Sequence, residues 1–393
     1  YDDRVRFSRR AQEIAPFHAM EYGRRAAEME SDGTHVVKLN IGEPDFGAPP
    51  AFLAKIRKIS DGRPLPYTGA LGTPELREAI AKFSRDHFGS PIEAERVVVT
   101  TGASAALVLA CAALIDPGDE VLVADPSYPC NRSFASAFGA DVRLLPTGPE
   151  RRFQLDAQLV ADAWTERTRG VMIASPSNPT GTSMSHDELV ATVRDVEARG
   201  GWRIVDEIYL GLADDVDGRP PRSIIADDPS AIVVNSFSKF FGMTGWRLGW
   251  AVVPEEMVGV AEKLAQNFYI CPPTAAQIAA LECFTPDTVA VAQERRAILR
   301  RRREVVLDGL SRIGLPVPVI PDGAFYVYVD VSGTGLTASQ FCDAALTQAH
   351  VALTPGKDFG VEGAEDYVRL SYATDEDELT VGIERLGELL GSL

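Results

Sequence analysis

Between residues 90 and 285, short apolar runs rich in β-branched residues alternate with stretches of helical composition. The runs are RVVVT at 96–100, DEVLVA at 119–124, VRLLP at 142–146, GVMIAS at 170–175, WRIVDE at 202–207 and AIVVNS at 231–236. Strands that are apolar on both faces and separated by helices are typical of parallel sheets covered by helices on each side. The alternation therefore predicts an α/β fold built on a large, doubly wound, mostly parallel sheet.

The rhythm changes after residue 285, where strands and helices no longer alternate regularly. A long helical segment at about 287–313 is followed by the strand AFYVYVDV, the helix TASQFCDAALTQA, the strand YVRLSYA and a closing helix. This order indicates a smaller α+β domain, and the first 45 residues have no counterpart in the alternating layer. We therefore predict a large domain at 46–285 and a small domain made of 1–45 and 286–393.

The chain carries a formal net charge of −17 over its 393 residues. An acidic surface repels nucleic acid and anionic lipid, so neither nucleic acid nor membrane is predicted as a partner. No apolar run approaches the ~18 residues needed to cross a bilayer. We interpret the run of four arginines at 300–303 as a solvated helix face rather than a nucleic-acid contact.

The five cysteines and five histidines are dispersed along the chain, with no CxxC pair. Metal sites need clustered ligands, and disulfide frameworks need paired cysteines. We therefore predict no metal site, reduced thiols and a cytoplasmic location.

In an open parallel sheet, ligands bind beyond the carboxyl ends of the strands, so the residues that follow each run are candidates. Gly102, Ala103 and Ser104 follow the first run and open a helix, where small residues allow backbone N–H groups to reach an anion. Tyr128 follows the second run and offers a ring for stacking. Asp206 follows four mostly apolar residues, and such a carboxylate needs a cationic or hydrogen-bond-donating partner.

Polar side chains and one amine follow the remaining runs. They are Asn178, Tyr209, Ser236, Ser238, Lys239 and Arg247. Hydroxyls and the planar fork of Arg247 suit a phosphate, and a buried amine such as Lys239 can act as a nucleophile. An anion cradle, a stacking ring, a buried carboxylate and a lysine together match a phosphorylated pyridine aldehyde held as a Schiff base.

The motifs follow one another in the order NIGEPDF, YTGALGTPELREAIA, TTGAS, DPSYP, SNPTG, VDEIY, SFSKFFGMTGWRLGW and VRLSYA. In this order and spacing the chain resembles the fold-type I pyridoxal 5′-phosphate enzymes, specifically the class I/II aminotransferases of the aspartate aminotransferase superfamily. The resemblance covers nearly the whole chain. It implies a fold-type I architecture, pyridoxal 5′-phosphate (PLP) as the cofactor and an aminotransferase activity.

The resemblance also implies a role for each matching residue. Lys239 is expected to hold the cofactor as a Schiff base and to move a proton between substrate and cofactor. Asp206 is expected to keep the pyridine nitrogen protonated, while Tyr209 and Asn178 hold the phenolic oxygen of the ring. Tyr128 is expected to stack on the ring face.

A phosphate site and a dimer are implied in the same way. The phosphate is expected to be bound by backbone groups of Gly102, Ala103 and Ser104 and by the side chains of Ser236, Ser238 and Arg247. Tyr67, in YTGALG, is expected to reach the phosphate held by the other subunit. The resemblance therefore implies a homodimer with active sites at the subunit interface.

Substrate recognition is implied for a further group of residues. Arg369, in VRLSYA, is expected to clamp the substrate α-carboxylate as a bidentate pair, helped by Asn178 and the backbone around Gly42. Apolar candidates either line a side-chain pocket or simply pack between the domains, and both readings are open. They are Ile14, Phe17, Tyr22, Phe325 and Tyr326.

Two devices by which family members bind a distal carboxylate are missing from the sequence. Where one branch has an arginine before a Pro-Pro pair this chain has AQNFYICPP, and where another has a lysine in the glycine-rich turn it has GASAA. An unpaired carboxylate in a dry pocket is strongly penalised. We therefore expect a neutral donor (alanine, branched-chain or aromatic) and a 2-oxo acid acceptor in a ping-pong mechanism, with aspartate aminotransferase as an alternative.

A PLP-dependent C–S β-lyase, or a related elimination enzyme, is the other alternative. It would use the same lysine, aspartate and arginine, because the fold alone does not determine the reaction. We do not expect a transcriptional regulator with an aminotransferase-like domain, since it needs an additional DNA-binding domain, while here the family pattern starts at NIGEPDF and the chain is acidic.

Overall fold

The computed structural model describes residues 5–216 and 218–393. The strands are β1 Val37–Lys38, β2 Val97–Thr100, β3 Glu120–Asp125, β4 Asp141–Pro146, β5 Thr168–Ala174, β6 Trp202–Asp206, β7 Ile232–Ser236, β8 Gly249–Val252, β9 Tyr326–Asp330, β10 Val351–Ala352, β11 Thr354–Pro355 and β12 Tyr367–Ser371. The α-helices are α1 Arg9–Glu13, α2 His18–Ser31, α3 Pro50–Ile59, α4 Pro74–Phe88, α5 Gly102–Leu114, α6 Pro129–Ala137, α7 Ala157–Ala163, α8 His186–Ala198, α9 Glu255–Phe268, α10 Thr274–Ala280, α11 Pro286–Arg312, α12 Ala338–Thr347 and α13 Glu376–Leu390.

The central feature is a seven-stranded sheet in the order β2-β8-β7-β6-β5-β3-β4. Strands β3 to β7 pair in parallel, whereas β8 is antiparallel to both of its neighbours. The six predicted runs correspond to β2 through β7, which confirms the predicted doubly wound, mostly parallel α/β sheet. The sequence pattern does not predict β8, because four residues that begin with glycine carry too short a strand signal.

Both faces of the sheet are buried, which explains why its strands are apolar without interruption. In β2, Val97 and Val99 join one hydrophobic core, whereas Val98 joins a second core on the opposite face. In β6, Val205 and Ile204 are divided between the two cores in the same way. Helices α4, α7 and α8 contribute to the first core, and α5 and α9 to the second. Only the strand ends therefore remain available to a ligand.

Helix α8 begins with a capping box that its sequence SHDELVATVRDVEARGG predicts. The hydroxyl of Ser185 accepts a hydrogen bond from the Glu188 N–H, and the Glu188 carboxylate accepts one from the Ser185 N–H. Gly200 follows the helix with φ near 73°, a backbone conformation that glycine adopts without strain. Local chemistry thus determines both ends of this helix.

Beyond α11 the chain forms a three-stranded antiparallel sheet in the order β11-β12-β9. Strand β1, from the N-terminal segment, pairs in parallel with β10, so Val37 lies opposite Val351. Helix α13 packs against α11 and also contacts β1. These contacts agree with grouping the N- and C-terminal parts, while the boundaries at 46–285 and at 1–45 with 286–393 stay a prediction.

The arginine run in α11 is not a uniformly solvated helix face, so the interpretation is wrong for part of the run, although Arg301 is exposed. Arg302 is buried, and its Nη1 and Nη2 atoms donate to the two carboxylate oxygens of Asp45 at 2.8 and 2.9 Å. Arg300 and Arg303 both donate to Asp214, at 2.8 and 2.7 Å. The partner carboxylates lie far away in the sequence, so helical periodicity alone could not reveal them.

No helix in the described part of the chain is both long and apolar enough to cross a bilayer. Residues 5–216 and 218–393 also contain no group of three or more His, Cys, Asp or Glu side chains placed to hold a metal ion.

Candidate active site

A cavity of about 850 Å³ lies beyond the carboxyl ends of the central strands. Residues that follow β2, β3, β5, β6 and β7 all reach it, as expected for an open parallel sheet. The predicted site residues that line it are Phe17, Gly42, Ala103, Ser104, Tyr128, Asn178, Asp206, Tyr209, Ser238, Lys239, Arg247, Tyr326 and Arg369. Side chains spread over most of the sequence thus meet in one place.

Further residues that the sequence does not predict also line the cavity. They are Ala19, Met20, Gly23, Arg24, Asn40, Ile41, Glu43, Leu107, Ala174, Pro176, Ile208, Thr244 and Gly245. Glu43 accepts a 2.9 Å hydrogen bond from the hydroxyl of Thr244. Its position next to Gly42 in the motif NIGEPDF was a signal that could have identified Glu43. Met20 and Arg24 offered no such signal, because the sequence of α2 does not say what that helix faces.

Three predicted cofactor residues do not line this cavity. Gly102 precedes the lining residue Ala103, and the Ser236 hydroxyl donates to the hydroxyl of the lining residue Ser238 at 2.9 Å. Tyr67 is 77% exposed and lines a separate cavity of about 430 Å³. Within one subunit, therefore, Tyr67 does not reach the site.

The apolar candidates divide into two groups. Phe17 and Tyr326 line the cavity, and the Phe17 ring lies edge-on to Tyr128 with 6.4 Å between ring centres. Tyr22 does not line it, because its hydroxyl points to Ser339 and Asp343 in α12. Phe325 is buried in the main hydrophobic core, and Ile14 lines a neighbouring cavity. The packing interpretation is correct for Tyr22 and Phe325, whereas Ile14 is 50% exposed and fits neither interpretation.

The amine of Lys239 lies inside the cavity. Its Nζ atom donates a 2.6 Å hydrogen bond to the carbonyl oxygen of Gly42 and lies 5.8 Å from the centre of the Tyr209 ring. Burial lowers the pKa of Lys239 to about 8, although the nearby Glu43 carboxylate opposes this shift. An amine with such a pKa is partly unprotonated near neutral pH and can attack a carbonyl carbon.

Asp206 is the last residue of β6 and lines the cavity. One carboxylate oxygen accepts the N–H of Ile208 at 3.0 Å. Burial raises the pKa of Asp206 to about 6. The hydrogen bond from Ile208 and the charge of Lys239 both lower this pKa, but their effects are smaller than that of burial. In residues 5–216 and 218–393 Asp206 forms no salt bridge, and Lys239 lowers its pKa only through its charge, so a ligand that offers a protonated nitrogen would supply the missing partner.

Arg369, in β12, is 1% exposed and stands between two aromatic rings. Its guanidinium carbon lies 4.6 Å from the centre of the Tyr326 ring and 4.9 Å from that of Phe359. Nη1 donates to Asn178 at 2.9 Å, and Nη2 donates to the carbonyl oxygen of Asn40 at 2.7 Å. The Nε–H has no hydrogen-bond partner in the described part of the chain. A buried cation with an unused donor is suited to a carboxylate.

The turn between β2 and α5 forms a cradle for an anion. Gly102 has φ near 79°, and a Cβ atom added there would lie 2.6 Å from Nη2 of Arg247. Glycine therefore allows the guanidinium of Arg247 to approach the start of the helix. Ala103 and Ser104, in the first turn of α5, face the cavity together with Ser238. The positive end of a helix beside an arginine favours a bound phosphate.

Comparison with known proteins agrees with this geometry. A sequence model of the family described as aminotransferase class I and II matches residues 34–386. The chain is 40% identical over 380 residues to a valine–pyruvate aminotransferase of Mycobacterium tuberculosis, covering 96% of this chain and 97% of that protein.

Solved structures show the same similarity in three dimensions. A crystal structure of an aminotransferase from Mycobacterium tuberculosis superposes with a TM-score of 0.94 at 40% identity, covering 99% of this chain and 100% of that one. The aspartate aminotransferase of Thermus thermophilus with maleate gives a TM-score of 0.92 at 34% identity, covering 98% and 100%. Each similarity thus extends over nearly the whole of both chains.

Proposed function

Because the chain belongs to the aminotransferase class I and II family, we propose that it transfers the α-amino group of a neutral L-amino acid to a 2-oxo acid. Membership in the family makes the protein a PLP-dependent aminotransferase and confirms the resemblance seen in its motifs. The choice of a neutral donor is our proposal. The observation that carries it is the set of apolar walls beside the buried guanidinium of Arg369.

Bound PLP supplies an electron sink for the negative charge that develops on the substrate α-carbon. The cavity fits this group, because it combines an amine, a buried carboxylate without a cationic partner and an anion cradle. Lys239 holds the cofactor aldehyde through its amine. Asp206 keeps a proton on the pyridine nitrogen, since a buried carboxylate is stabilised by that positive charge. Arg247 and the turn at Gly102 bind the phosphate.

The remaining residues of the cofactor site orient the ring. Tyr128 stacks on one face, while the Tyr209 hydroxyl and the Asn178 amide hold the phenolic oxygen. Ser238 adds a hydroxyl at the phosphate, and Ser236, which lies outside the cavity lining, supports Ser238 by donating a hydrogen bond to its hydroxyl. Lys239 carries the proton that leaves the α-carbon, a task that suits an amine with a pKa near neutrality.

Arg369 binds the α-carboxylate that all amino acid substrates share. Its rings and hydrogen bonds hold the guanidinium in one orientation, so the carboxylate meets a preorganised fork. The backbone at Gly42 lies beside it, since a Cβ atom added there would be 3.9 Å from both Nη atoms. Each amino acid substrate therefore binds through the same contact between its α-carboxylate and Arg369.

The substrate side chain is bounded by Phe17, Met20 and Ile41 from the N-terminal part of the chain and by Tyr326 from β9. Apolar walls stabilise an aliphatic or aromatic side chain and penalise an unpaired carboxylate. The similarity to a valine–pyruvate aminotransferase supports a neutral donor and a 2-oxo acid such as pyruvate as the acceptor.

One observation favours aspartate as a second candidate donor. Arg24 also lines the cavity, where a distal carboxylate could meet it. However, its side chain is largely exposed and is paired with Glu28 in the same helix. We therefore place aspartate second, although an aspartate aminotransferase is among the similar structures.

Single-turnover absorbance scans test the proposal. The holoenzyme is mixed separately with valine, alanine, leucine, phenylalanine and aspartate, and conversion of the cofactor to its amine form is followed. We expect conversion to be fastest with a neutral donor and unchanged in Arg24→Met. Aspartate as the fastest donor, with loss of that preference in Arg24→Met, would refute the neutral-donor proposal. An unchanged spectrum while keto acid and ammonia accumulate would identify an elimination enzyme instead.

We also propose a cytoplasmic homodimer with active sites at the subunit interface. Tyr67 and Leu65 are both exposed and line the same cavity, and large apolar side chains exposed side by side are typical of a contact surface. The dispersed cysteines and the acidic charge support the cytoplasmic location and the absence of nucleic-acid or membrane partners.

A further inference from the structure

The hydroxyl groups of Tyr209 and Tyr326 form a buried pair, with 2.9 Å between the two oxygens. Tyr209 follows β6 of the large sheet, whereas Tyr326 is the first residue of β9 in the three-stranded sheet. Both side chains line the cavity. Two phenols at this distance share one hydrogen, so the pair has only one other hydrogen to offer to the cavity. The direction of the shared hydrogen decides which tyrosine offers it.

The position of Arg369 favours Tyr326 as the donor within the pair. The guanidinium carbon lies 4.6 Å from the centre of the Tyr326 ring, and a nearby cation makes a phenol a stronger hydrogen-bond donor. Burial raises the pKa of both phenols. At Tyr326, Arg369 is the largest of the influences that lower the pKa. At Tyr209, the contact with Tyr326 raises the pKa by more than Arg369 lowers it.

The other surroundings of the pair do not reverse this direction. Asp206 lies near Tyr209, Glu43 lies near Tyr326, and each carboxylate raises the pKa of the phenol it faces. The amine of Lys239 lies 5.8 Å from the centre of the Tyr209 ring. A Cβ atom added at Gly42 would lie 3.0 Å from the Tyr326 oxygen, so the backbone packs tightly against that hydroxyl.

We propose that Tyr326 is a positioning residue, which donates its phenolic hydrogen to Tyr209 and thereby leaves the hydrogen of Tyr209 free to face the cavity. The inference rests on the proposed function, in which Tyr209 donates to the phenolic oxygen of the cofactor. A donor that itself accepts a hydrogen bond is strengthened, so Tyr209 is the better donor with Tyr326 behind it. Tyr326 therefore acts on the cofactor through Tyr209.

The test is a pH titration of the visible absorbance of the holoenzyme. When the phenolic oxygen loses a donor, it carries more negative charge, so the adjacent nitrogen that joins Lys239 to the cofactor holds its proton more tightly. Tyr209→Phe should raise the midpoint by about one pH unit, as expected for loss of a direct hydrogen bond. Tyr326→Phe should raise it by a few tenths of a pH unit, on the order of the strengthening within a chain of hydrogen bonds.

Two further variants complete the experiment. The double variant with both Tyr209→Phe and Tyr326→Phe should have the same titration midpoint as Tyr209→Phe alone. Tyr328→Phe is the matched control, because it removes another buried hydroxyl from β9 outside the cavity and should not move the midpoint.

Each outcome has one meaning. If Tyr209→Phe leaves the midpoint unchanged, the proposed role of Tyr209 fails and this inference fails with it. If Tyr209→Phe raises the midpoint but Tyr326→Phe does not, only the inference is overturned. It is also overturned if Tyr326→Phe still raises the midpoint in the Tyr209→Phe background, since Tyr326 would then act directly on the cofactor.

Discussion

At Asp206 and Glu207, two adjacent acids at the end of one strand have different surroundings. Asp206 faces the cavity, whereas the Glu207 carboxylate turns to the other side and accepts the Ile224 N–H at 2.8 Å. Burial raises the pKa of Asp206 to about 6 and that of Glu207 to about 7. Side chains that alternate along a strand separate the two acids, so only Asp206 is available to a ligand.

Lys239 provides a pH-dependent prediction at the same scale. Burial lowers its pKa from 10.5 to about 8, so its amine becomes unprotonated as the pH rises through 8. We expect the apoprotein to take up PLP faster with rising pH, with a midpoint near 8. Stopped-flow absorbance at different pH values measures this rate.

Lys239→Ala is the control for this measurement, because it keeps the phosphate cradle and removes the amine. It should bind PLP without forming the visible band at any pH. A midpoint near 10.5, the value of an unperturbed lysine, would contradict the assigned environment of Lys239.

At the scale of elements, helix α2 depends on a cap from a distant part of the chain. Its N-cap residue, Phe17, makes no capping hydrogen bond with its side chain. Instead, the Asp358 carboxylate accepts the N–H groups of His18 and Ala19 at 2.8 and 2.7 Å. The same carboxylate therefore holds Phe17 and Met20 in place at the cavity.

Asp358→Ala should weaken this arrangement. Loss of an N-cap costs about 1 kcal/mol of unfolding free energy, and a less ordered Phe17 should raise KM for neutral amino acids more than it lowers kcat. Thr337→Ala is the matched control, since Thr337 caps α12 in a capping box and does not line the cavity. It should lose similar stability with KM unchanged. Equal KM effects in both variants would show that Asp358 does not position the wall.

The arginine run in α11 gives a second prediction for an element. Arg302→Met leaves the carboxylate of Asp45 without its bidentate partner. Because Arg302 is buried and Asp45 is only partly exposed, we expect the unfolding free energy to fall by about 2–3 kcal/mol. Arg301, one residue earlier, pairs with Glu376 at the surface. Arg301→Met should therefore change the unfolding free energy by less than about 1 kcal/mol. Urea denaturation of both variants measures the difference. An equal loss of unfolding free energy in both variants would contradict the distinction between a buried Arg302 and an exposed Arg301.

At the scale of the whole molecule, the position of Tyr67 requires a second subunit if this residue is to reach a phosphate. Its side chain is exposed and lines a cavity apart from the main one. Neighbouring side chains in that cavity include Lys55, Lys58 and Arg63, which add positive charge. A symmetric dimer that covers this surface would bring the same residues to both sites.

Hybrid dimers test this arrangement. Lys239→Ala and Tyr67→Ala are each expected to have little activity alone. If Tyr67 serves the partner's site, a purified hybrid of the two variants contains one intact site and regains about half of the wild-type activity. If Tyr67 serves its own subunit, the hybrid contains no intact site and gains nothing over Tyr67→Ala.

The sequence by itself determined the α/β class, the strands β2 to β7 and the family, and it selected the residues that we propose to hold the cofactor. This was possible because parallel strands buried on both faces are apolar throughout, and because the chemistry at their carboxyl ends lies in short continuous motifs. Asp206 ends β6 and Lys239 lies three residues after β7, whereas Arg247 could be selected because it belongs to the continuous motif SFSKFFGMTGWRLGW.

Only the tertiary structure decided the walls of the substrate cavity and the partners of the charged groups. Met20, Arg24 and Glu43 reach the cavity because α2 and the segment after β1 pack over the strand ends, which no local pattern encodes. The same reason applies to Tyr22, whose hydroxyl faces α12, and to Arg302, whose carboxylate partner lies 257 positions away in the chain. Contacts between distant segments depend on the packing of the complete chain, and they are the part of this protein that sequence periodicity and motif spacing do not contain.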